Sequence, residues 1–459
     1  MIKAILGAGV TLCSVLAAPL ASAAENSATW TLQNTFDNDN LTIKGSFRTR
    51  YEGINGEFRP GVNENLDVLA LKTDIFAEYN FGSFRIGGEL MDARSYSTGI
   101  GDGINGGIVN ALEPVQSYIA FSFGDASHNS VGTGIKLGRF DLSLGSKRLV
   151  GRTGFGNTIH TYTGARFDLK QGDQSATFFY TLPNQVKPSG QESLLDNEID
   201  YDDPTSAQKF WGGFYTNTGL IPGAQLEAYV YGLNEKDKIK HQTKDRDLYT
   251  IGGRLKKNTS PSTLGYEIEL AYQTGHRSTS AATNAEKMDV DAIMAHATVA
   301  YQLDTPWKPR LAAEFDYASG AGEKEGQNNR FDNLFGLRRG DFGPVDIDGI
   351  IPRSNIISPG VRLSVAPNTR WNAFTSYRAV WLADKTDAFI SGIRDETGQS
   401  GSFAGQQLEV AIRYWLIPDV LQAEVGGSHF FNGRFMNTAP NATGNGDTNY
   451  GYADITFHF

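Results

Sequence analysis

The residues of this chain best suited to chemistry are arginines and carboxylates, and they recur at alternate positions of extended segments rather than in one compact cluster. In Leu41 to Ile54, Lys44, Ser46, Arg48, Arg50 and Glu52 share one parity, while Leu41, Ile43, Phe47 and Tyr51 share the other. The same charged parity gathers Lys72, Asp74 and Glu78, then Arg85 and Glu89, Arg166 and Asp168, Arg254, Glu267 and Glu269. It continues through Arg310, Glu314 and Asp316 to Arg362, Arg378, Glu409, Arg413, Glu424 and Asp454. The densest basic stretch, GRFDLSLGSKRLVGR from Gly138 to Arg152, holds Arg139, Lys147, Arg148 and Arg152 near a strand end and in the loop after it. A planar guanidinium pairs with both oxygens of a carboxylate, so the chemistry on offer is reversible recognition of acidic solutes. Most of the wall charges are expected to pair across strands. The remainder would form a lining that attracts an anion, with carboxylates spacing the arginines so that the solute is released, as conduction requires. The basic stretch reads equally well as a solvated loop or a lipopolysaccharide contact.

Bond-making chemistry finds less support. Seven histidines (128, 160, 241, 276, 296, 429 and 458) form no close pair with metal-ligand spacing, and no G-x-S-x-G elbow occurs. Gly101-Asp102-Gly103-Ile104-Asn105-Gly106 satisfies G-x-G-x-x-G, but it follows no buried strand and opens no helix. It is expected to be a flexible loop folding toward a pore mouth. Asp346-Ile347-Asp348-Gly349 and Asp37 to Asn40 offer loose calcium sites, but neither completes the calcium-loop pattern, and both read better as solvated loops. No cofactor is expected. The acidic loop Asp196 to Asp203 opposes an anionic solute unless divalent cations bridge it to lipopolysaccharide.

The elements that must position these charges are strands. The last twelve residues, TNYGYADITFHF, put Ala453, Ile455, Phe457 and Phe459 on one face and Tyr450, Tyr452, Asp454, Thr456 and His458 on the other, and they end on an aromatic. Alone, this segment suits the edge of a soluble β-sandwich as well as the closing strand of an outer-membrane barrel. Comparable alternation recurs in about 18 segments, near 41–54, 66–81, 84–92, 114–123, 131–142, 161–169, 174–182, 207–216, 224–233, 246–256, 264–274, 289–302, 309–318, 355–365, 370–382, 405–416, 420–430 and 448–459. Their connections alternate between short, such as 81–83, 304–308 and 417–419, and long, such as 92–113, 143–160, 183–206, 319–354, 383–404 and 431–447. Short periplasmic turns and long outer loops are the habit of outer-membrane barrels, and a soluble sandwich has no reason to follow it. A barrel of 16 to 18 strands encloses an aqueous channel. Tyr51, Tyr79, Trp371, Trp381, Tyr414 and Phe457 would sit near its interfacial girdles.

Residues 1–23 read as a secretory signal, with Lys3, an apolar middle from Ala4 to Leu20, and the small-residue site Ala21-Ser22-Ala23. Taking 23 residues from 459 leaves 436, and losing Lys3 moves the formal charge from −10 to −11. The single cysteine, Cys13, leaves with the signal, so no disulfide framework remains. Residues 24–40 are expected to be a periplasmic segment and 41–459 the barrel. No run of 18 apolar residues suggests a helical membrane span, and the acidic balance argues against nucleic acid.

FRTRYEG at 47–53, GRFDLSLGSKRLVGRTGFGNT and YTGARFDL within 138–169, RLAAEFDYASG at 310–320, NNRFDNLFG at 328–336 and SNIISPGVRL at 354–363 together resemble the alginate-export outer-membrane porins. The resemblance spans nearly the whole mature chain. It implies an 18-stranded barrel passing a uronic-acid polymer through an arginine-rich constriction. By motif position, Arg48 or Arg50, Arg139, Arg148 and Arg152 would join that constriction, with Arg362 a further candidate. The family's type member carries a long periplasmic turn between strands 16 and 17 that plugs the pore; here that turn is Ile417-Pro418-Asp419. This departure leaves gating open, and uptake of oligosaccharides or other acids stands beside polymer export.

The reading is an all-β transmembrane antiparallel barrel in the bacterial outer membrane, not an enzyme, passing anionic saccharides by diffusion. The alternative is a general or carboxylate-selective nutrient porin. A membrane-embedded hydrolase would need a Ser/His or Asp/His cluster at the outer rim, which the scattered histidines do not supply; a receptor or adhesin acting through its loops, such as that at 319–354, is a further reading. Expected partners are an anionic oligo- or polysaccharide, outer-membrane lipid and lipopolysaccharide, and the barrel-assembly machinery acting through the C-terminal strand.

Overall fold

The computed structural model describes residues 31–459 apart from residues 37, 98–102, 129, 239–240 and 323–325. The signal at 1–23 with Cys13, residue Asp37, and the first two residues of the Gly101–Gly106 motif lie outside the described residues.

After a short helix, Leu32–Phe36, the alternating segments become strands. They are β1 (Leu41–Asn55), β2 (Asn65–Asn80), β3 (Phe84–Ser97), β4 (Asn110–Phe123), β5 (Gly132–Phe140), β6 (Tyr162–Gln171) and β7 (Gln174–Gln185). The two-residue β8 (Asp203–Pro204) is followed by β9 (Gln208–Ile221), β10 (Ala224–Glu235), β11 (Asp247–Lys257), β12 (Leu264–Ser278), β13 (Lys287–Gln302) and β14 (Arg310–Ala318). The last five are β15 (Ile356–Val365), β16 (Trp371–Trp381), β17 (Phe403–Ile417), β18 (Leu421–Asn432) and β19 (Thr448–His458).

All but β8 form a closed 18-strand antiparallel barrel; β8 lies in a loop against the end of β7. Closure joins β1 to β19 from Ser46↔His458 to Asn55↔Asn449, so the terminal strand is the closing strand. Closure leaves no edge whose amides would lack partners in lipid. Each of the 18 expected segments overlaps one barrel strand. β3 and β9 run about five residues beyond their expected ends because Ala93, Ser95, Asn217 and Gly219 carry no hydrophobic alternation, although the ladders continue.

The outward parity is apolar, with Phe47, Leu69, Ile75, Ile86, Leu90, Ile268 and Val299 exposed. Aromatics gather at the short-turn rim: Phe81 stacks on Phe84 at 4.6 Å, and Trp307 meets Trp371 edge-on at 5.4 Å. Trp381 and Phe403 form a pair at the opposite end of their strands.

Inside, the two ends differ. Along β1 the lumen-facing side chains pass from exposed Thr42 and Lys44 to buried Arg48, Arg50, Glu52 and Ile54. β2 repeats the gradient in reverse, from buried Leu66, Val68 and Ala70 to half-buried Asp74 and Glu78. The cover in the long-loop half comes from the loops, which contribute Leu142, Leu149, Val150, Phe331, Phe342, Ile347, Ile350, Phe389 and Phe435 to one apolar core. Asp346 to Gly349 is therefore not a solvated loop: Ile347 and Ile350 draw it into that core, leaving Asp348 5% exposed. The described part of the glycine loop also turns inward, with Ile104 buried in the same core.

Candidate functional site

Two loops narrow the lumen. The one joining β5 to β6 turns in because Leu142, Leu144, Leu149 and Val150 can leave water only by entering the barrel. Gly138 (φ +125°), next to Arg139, has no room for a Cβ against the Ser117 carbonyl of β4, so glycine is needed there. The loop joining β14 to β15 turns in likewise, and the two bind each other through backbone. Phe335 N–H donates to Leu149 O at 3.0 Å, Gly151 N–H to Phe335 O at 3.2 Å, and Leu337 N–H to Lys147 O at 2.9 Å. The Phe335 ring then packs on Phe210 at 4.9 Å and Tyr162 at 5.4 Å on the wall.

The arginines singled out by motif hold this assembly. Arg48 donates through Nη1 to Phe155 O (2.8 Å) and Gly154 O (3.2 Å), and through Nη2 to Asn157 Oδ1 (3.1 Å). Asn157 in turn donates to Ile108 O at 2.7 Å, tying in the glycine loop. Arg50 is fully buried: Nε binds Glu52 at 2.7 Å, Nη1 donates to Phe155 O at 2.7 Å, Nη2 pairs with Asp346, and the guanidinium stacks 4.1 Å from the Phe155 ring centre.

Arg148 joins both loops to the far wall. It takes Asp341 through Nε and Nη2, both at 3.0 Å, and through Nη1 binds Glu269 at 2.8 Å and Glu267. Burial opposes its charge, but Asp341, Glu269 and Glu267 outweigh burial and hold the guanidinium well above its ordinary value. Asp341 is held well below the usual carboxylate range by Arg148 and Arg353 despite its burial. Arg139 shares itself between Glu113 (2.5 Å) and Asp202 (2.8 Å). Burial and then Glu113 push the Asp202 carboxyl up to about 6. One member of the acidic loop is thus an internal partner of a basic residue. Arg362 binds Glu314 at 3.2 Å and donates to Gly340 O at 3.0 Å.

Arg152 is the most exposed of these six, with a quarter of its side chain accessible, and it grips both oxygens of Glu89 at 2.7 and 2.5 Å. It reaches a chamber of about 470 Å³ at the short-turn end, whose walls include Lys44, Phe76, Trp415, His458 and Gln33.

All six arginines therefore face the lumen, and each is already engaged. Sequence reasoning missed their loop partners Asp341 and Asp346, and missed Arg339 and Arg353, which bind Glu409 and Asp341. The available signal was the set of apolar residues Phe342, Val345, Ile347, Ile350 and Ile351, interrupted only by Asp346 and Asp348 among charged residues, which a solvated loop has no reason to carry. His296, Asp316 and Asp341 also converge, with one ligand atom of each within 4.8 Å of the others. Arg378 and Arg148 already bind those two carboxylates, and His296 Nδ1 lies 2.7 Å from Asp316.

A family model described as alginate export matches residues 39–448. No curated protein sequence matches the chain. Among solved structures, Pseudomonas aeruginosa OccK2 (OpdF) is similar at a TM-score of 0.58 and 11% identity, over 92% of this chain and 98% of that one. The same protein in complex with glucuronate gives 0.55 and 10%, over 91% and 98%. Pseudomonas aeruginosa OccK8 (OprE) gives 0.56 and 11%, over 92% and 98%.

Proposed function

The chain belongs to the alginate export family and is a bacterial outer-membrane channel, and on that premise we propose that it passes acidic saccharides, alginate-type uronate polymer or oligomers, by diffusion. The observation that carries this reading is the chamber beneath the inward loops. It sets two cations, Lys44 and Arg152, and two aromatic rings, Phe76 and Trp415, in one lining that also carries the carboxylates of Asp74, Glu89 and Asp419. A uronate unit presents the complementary pair, a carboxylate for the guanidinium or ammonium and an apolar ring face for the aromatic. Arg152 is committed to Glu89 through both terminal nitrogens, so an incoming carboxylate must compete with Glu89, which keeps the hold weak enough for release. No side chain is assigned a bond-making role.

A second reading, a carboxylate-selective porin for small nutrients, is favoured by the tight turn after β17, where Val420 N–H donates to Ile417 O at 3.1 Å and no plug follows. Planar-bilayer current separates the two. Mannuronate oligomers should block the open channel at concentrations where neutral oligosaccharides of equal length do not. Block by glucuronate but never by the oligomers would replace the first reading with the second. Absence of block by any uronate would remove both.

A further inference from the structure

On the wall opposite that chamber, the turn joining β11 to β12 (residues 258–263) roofs a second pocket of about 340 Å³ at the short-turn rim. Lys256, Lys257, Thr259, Glu267, Thr298 and Arg310 line it. Lys256 faces Glu267 across the β11–β12 ladder, which would ordinarily neutralise it. That carboxylate is taken: Arg254 binds both its oxygens at 3.1 Å, and Arg148 binds it from the loop side. The nearest acid along β14 from Arg310 is Glu314, and it too is occupied, by Arg362 at 3.2 Å and Arg378 at 2.7 Å. Arg310 keeps one side-chain hydrogen bond, from Nε to Thr259 Oγ1 at 3.1 Å, which does not engage its two terminal nitrogens, while the side chain lines the pocket. Among the described residues neither Lys256 nor Arg310 has a carboxylate within ion-pair distance. Two cations, with Lys257 at the rim, are left in surplus around a cavity at the small end of ligand-binding size.

Resting on the channel reading above, we propose that this pocket is a carboxylate subsite at the periplasmic mouth, where Lys256 and Arg310 hold one uronate unit of an acidic saccharide before it meets the loop constriction. The guanidinium edge accepts the carboxylate in a forked geometry, and the ammonium adds a point charge from the neighbouring wall. Both groups stay in contact with water, so the captured unit exchanges quickly.

The test uses the full-length protein inserted in one orientation in planar bilayers, with trimannuronate added to either side. The K256Q/R310Q variant should need roughly tenfold more oligomer on the short-turn side for half-block, and a smaller increase on the long-loop side. K256R/R310K, which keeps both charges, should remain near wild type and exclude misfolding as the cause. Wild-type block that K256Q/R310Q leaves unchanged would overturn the subsite while the channel reading stands. A wild-type channel that trimannuronate never blocks would overturn the channel reading itself. Competition by inorganic phosphate at the same concentration as the trisaccharide would make the pocket a general anion site and overturn its assignment to uronates.

Discussion

In the long-loop half of the lumen, Arg50, Arg148 and Arg353 are buried against Glu52, Asp341 and Asp346; in the short-turn half, Lys44, Lys256 and Arg413 reach water. The residue types match, and the difference lies in what covers them. Where the loops fold in, a charge without a partner would be costly, so these three guanidiniums are matched to carboxylates or carbonyls and become pins. Where no loop reaches, an unpaired cation is tolerated by water and remains free for a solute. An arginine-rich lumen is thus two devices stacked along one axis, a scaffold above and a solute-facing wall below.

The most severe way to break this division is Arg148→Ala. It would leave Glu267, Glu269 and Asp341 without their shared cation, and breaking a buried pair of this kind costs about 3–5 kcal/mol. Because Arg148 ties one inward loop to the other and both to the wall, the loss should fall on loop docking rather than on the barrel ladder. Protease should cut within residues 319–355 faster than in wild type, and single-channel current should become larger and noisier. Wild-type cleavage and conductance would mean that the upper arginines are not pins.

A smaller effect comes from Asp348, which accepts a hydrogen bond from Ser428 Oγ at 3.0 Å inside the loop core. Burial raises its carboxyl from an ordinary value of 3.8 to about 6. The folded loop therefore binds a proton that the undocked loop releases between those values. Docking should be firmest below about pH 4 and weaken as pH rises through about 6, by an amount on the order of 2–3 kcal/mol. Asp348→Asn, which keeps the Ser428 contact and removes the charge, should flatten this dependence. Proteolysis of the loop at pH 4.5 and pH 7.5 in both proteins measures it, and an equal pH response in the variant would assign the effect to another group.

How much of this was readable beforehand follows from range. Period-two alternation and the short-long rhythm of connections are local, and they placed the strands and the parity of Arg48, Arg50 and Arg362. The ties made by those side chains are not local. Arg148 meets Asp341 across 193 positions and Arg50 meets Asp346 across 296, and nothing in either neighbourhood announces the other. The apolar residues between Phe342 and Ile351 hinted that their loop goes inside, but not where. The surplus of Lys256 is more deeply hidden, since it depends on Glu267 being claimed by two arginines from other elements.

The mildest change sharpens the contrast from below. Arg413 pairs with Glu424 through Nε at 2.6 Å, yet nearly half of its side chain is exposed, and Lys44 stands 5.4 Å from the Phe76 ring with no ion pair among the described residues. Lys44→Gln and Arg413→Gln should each change stability by no more than about 1 kcal/mol, the usual worth of an exposed pair. Selectivity should respond where stability does not. Removing an accessible lumen cation lowers the local anion concentration, so the reversal potential in a salt gradient should move toward cation preference. The shift should be largest at low ionic strength, because at ~0.15 M the screening length is already about 8 Å. If these variants unfolded as readily as Arg148→Ala, or left the reversal potential unmoved at low salt, the lower wall would be scaffold as well, and the division between the halves would fail.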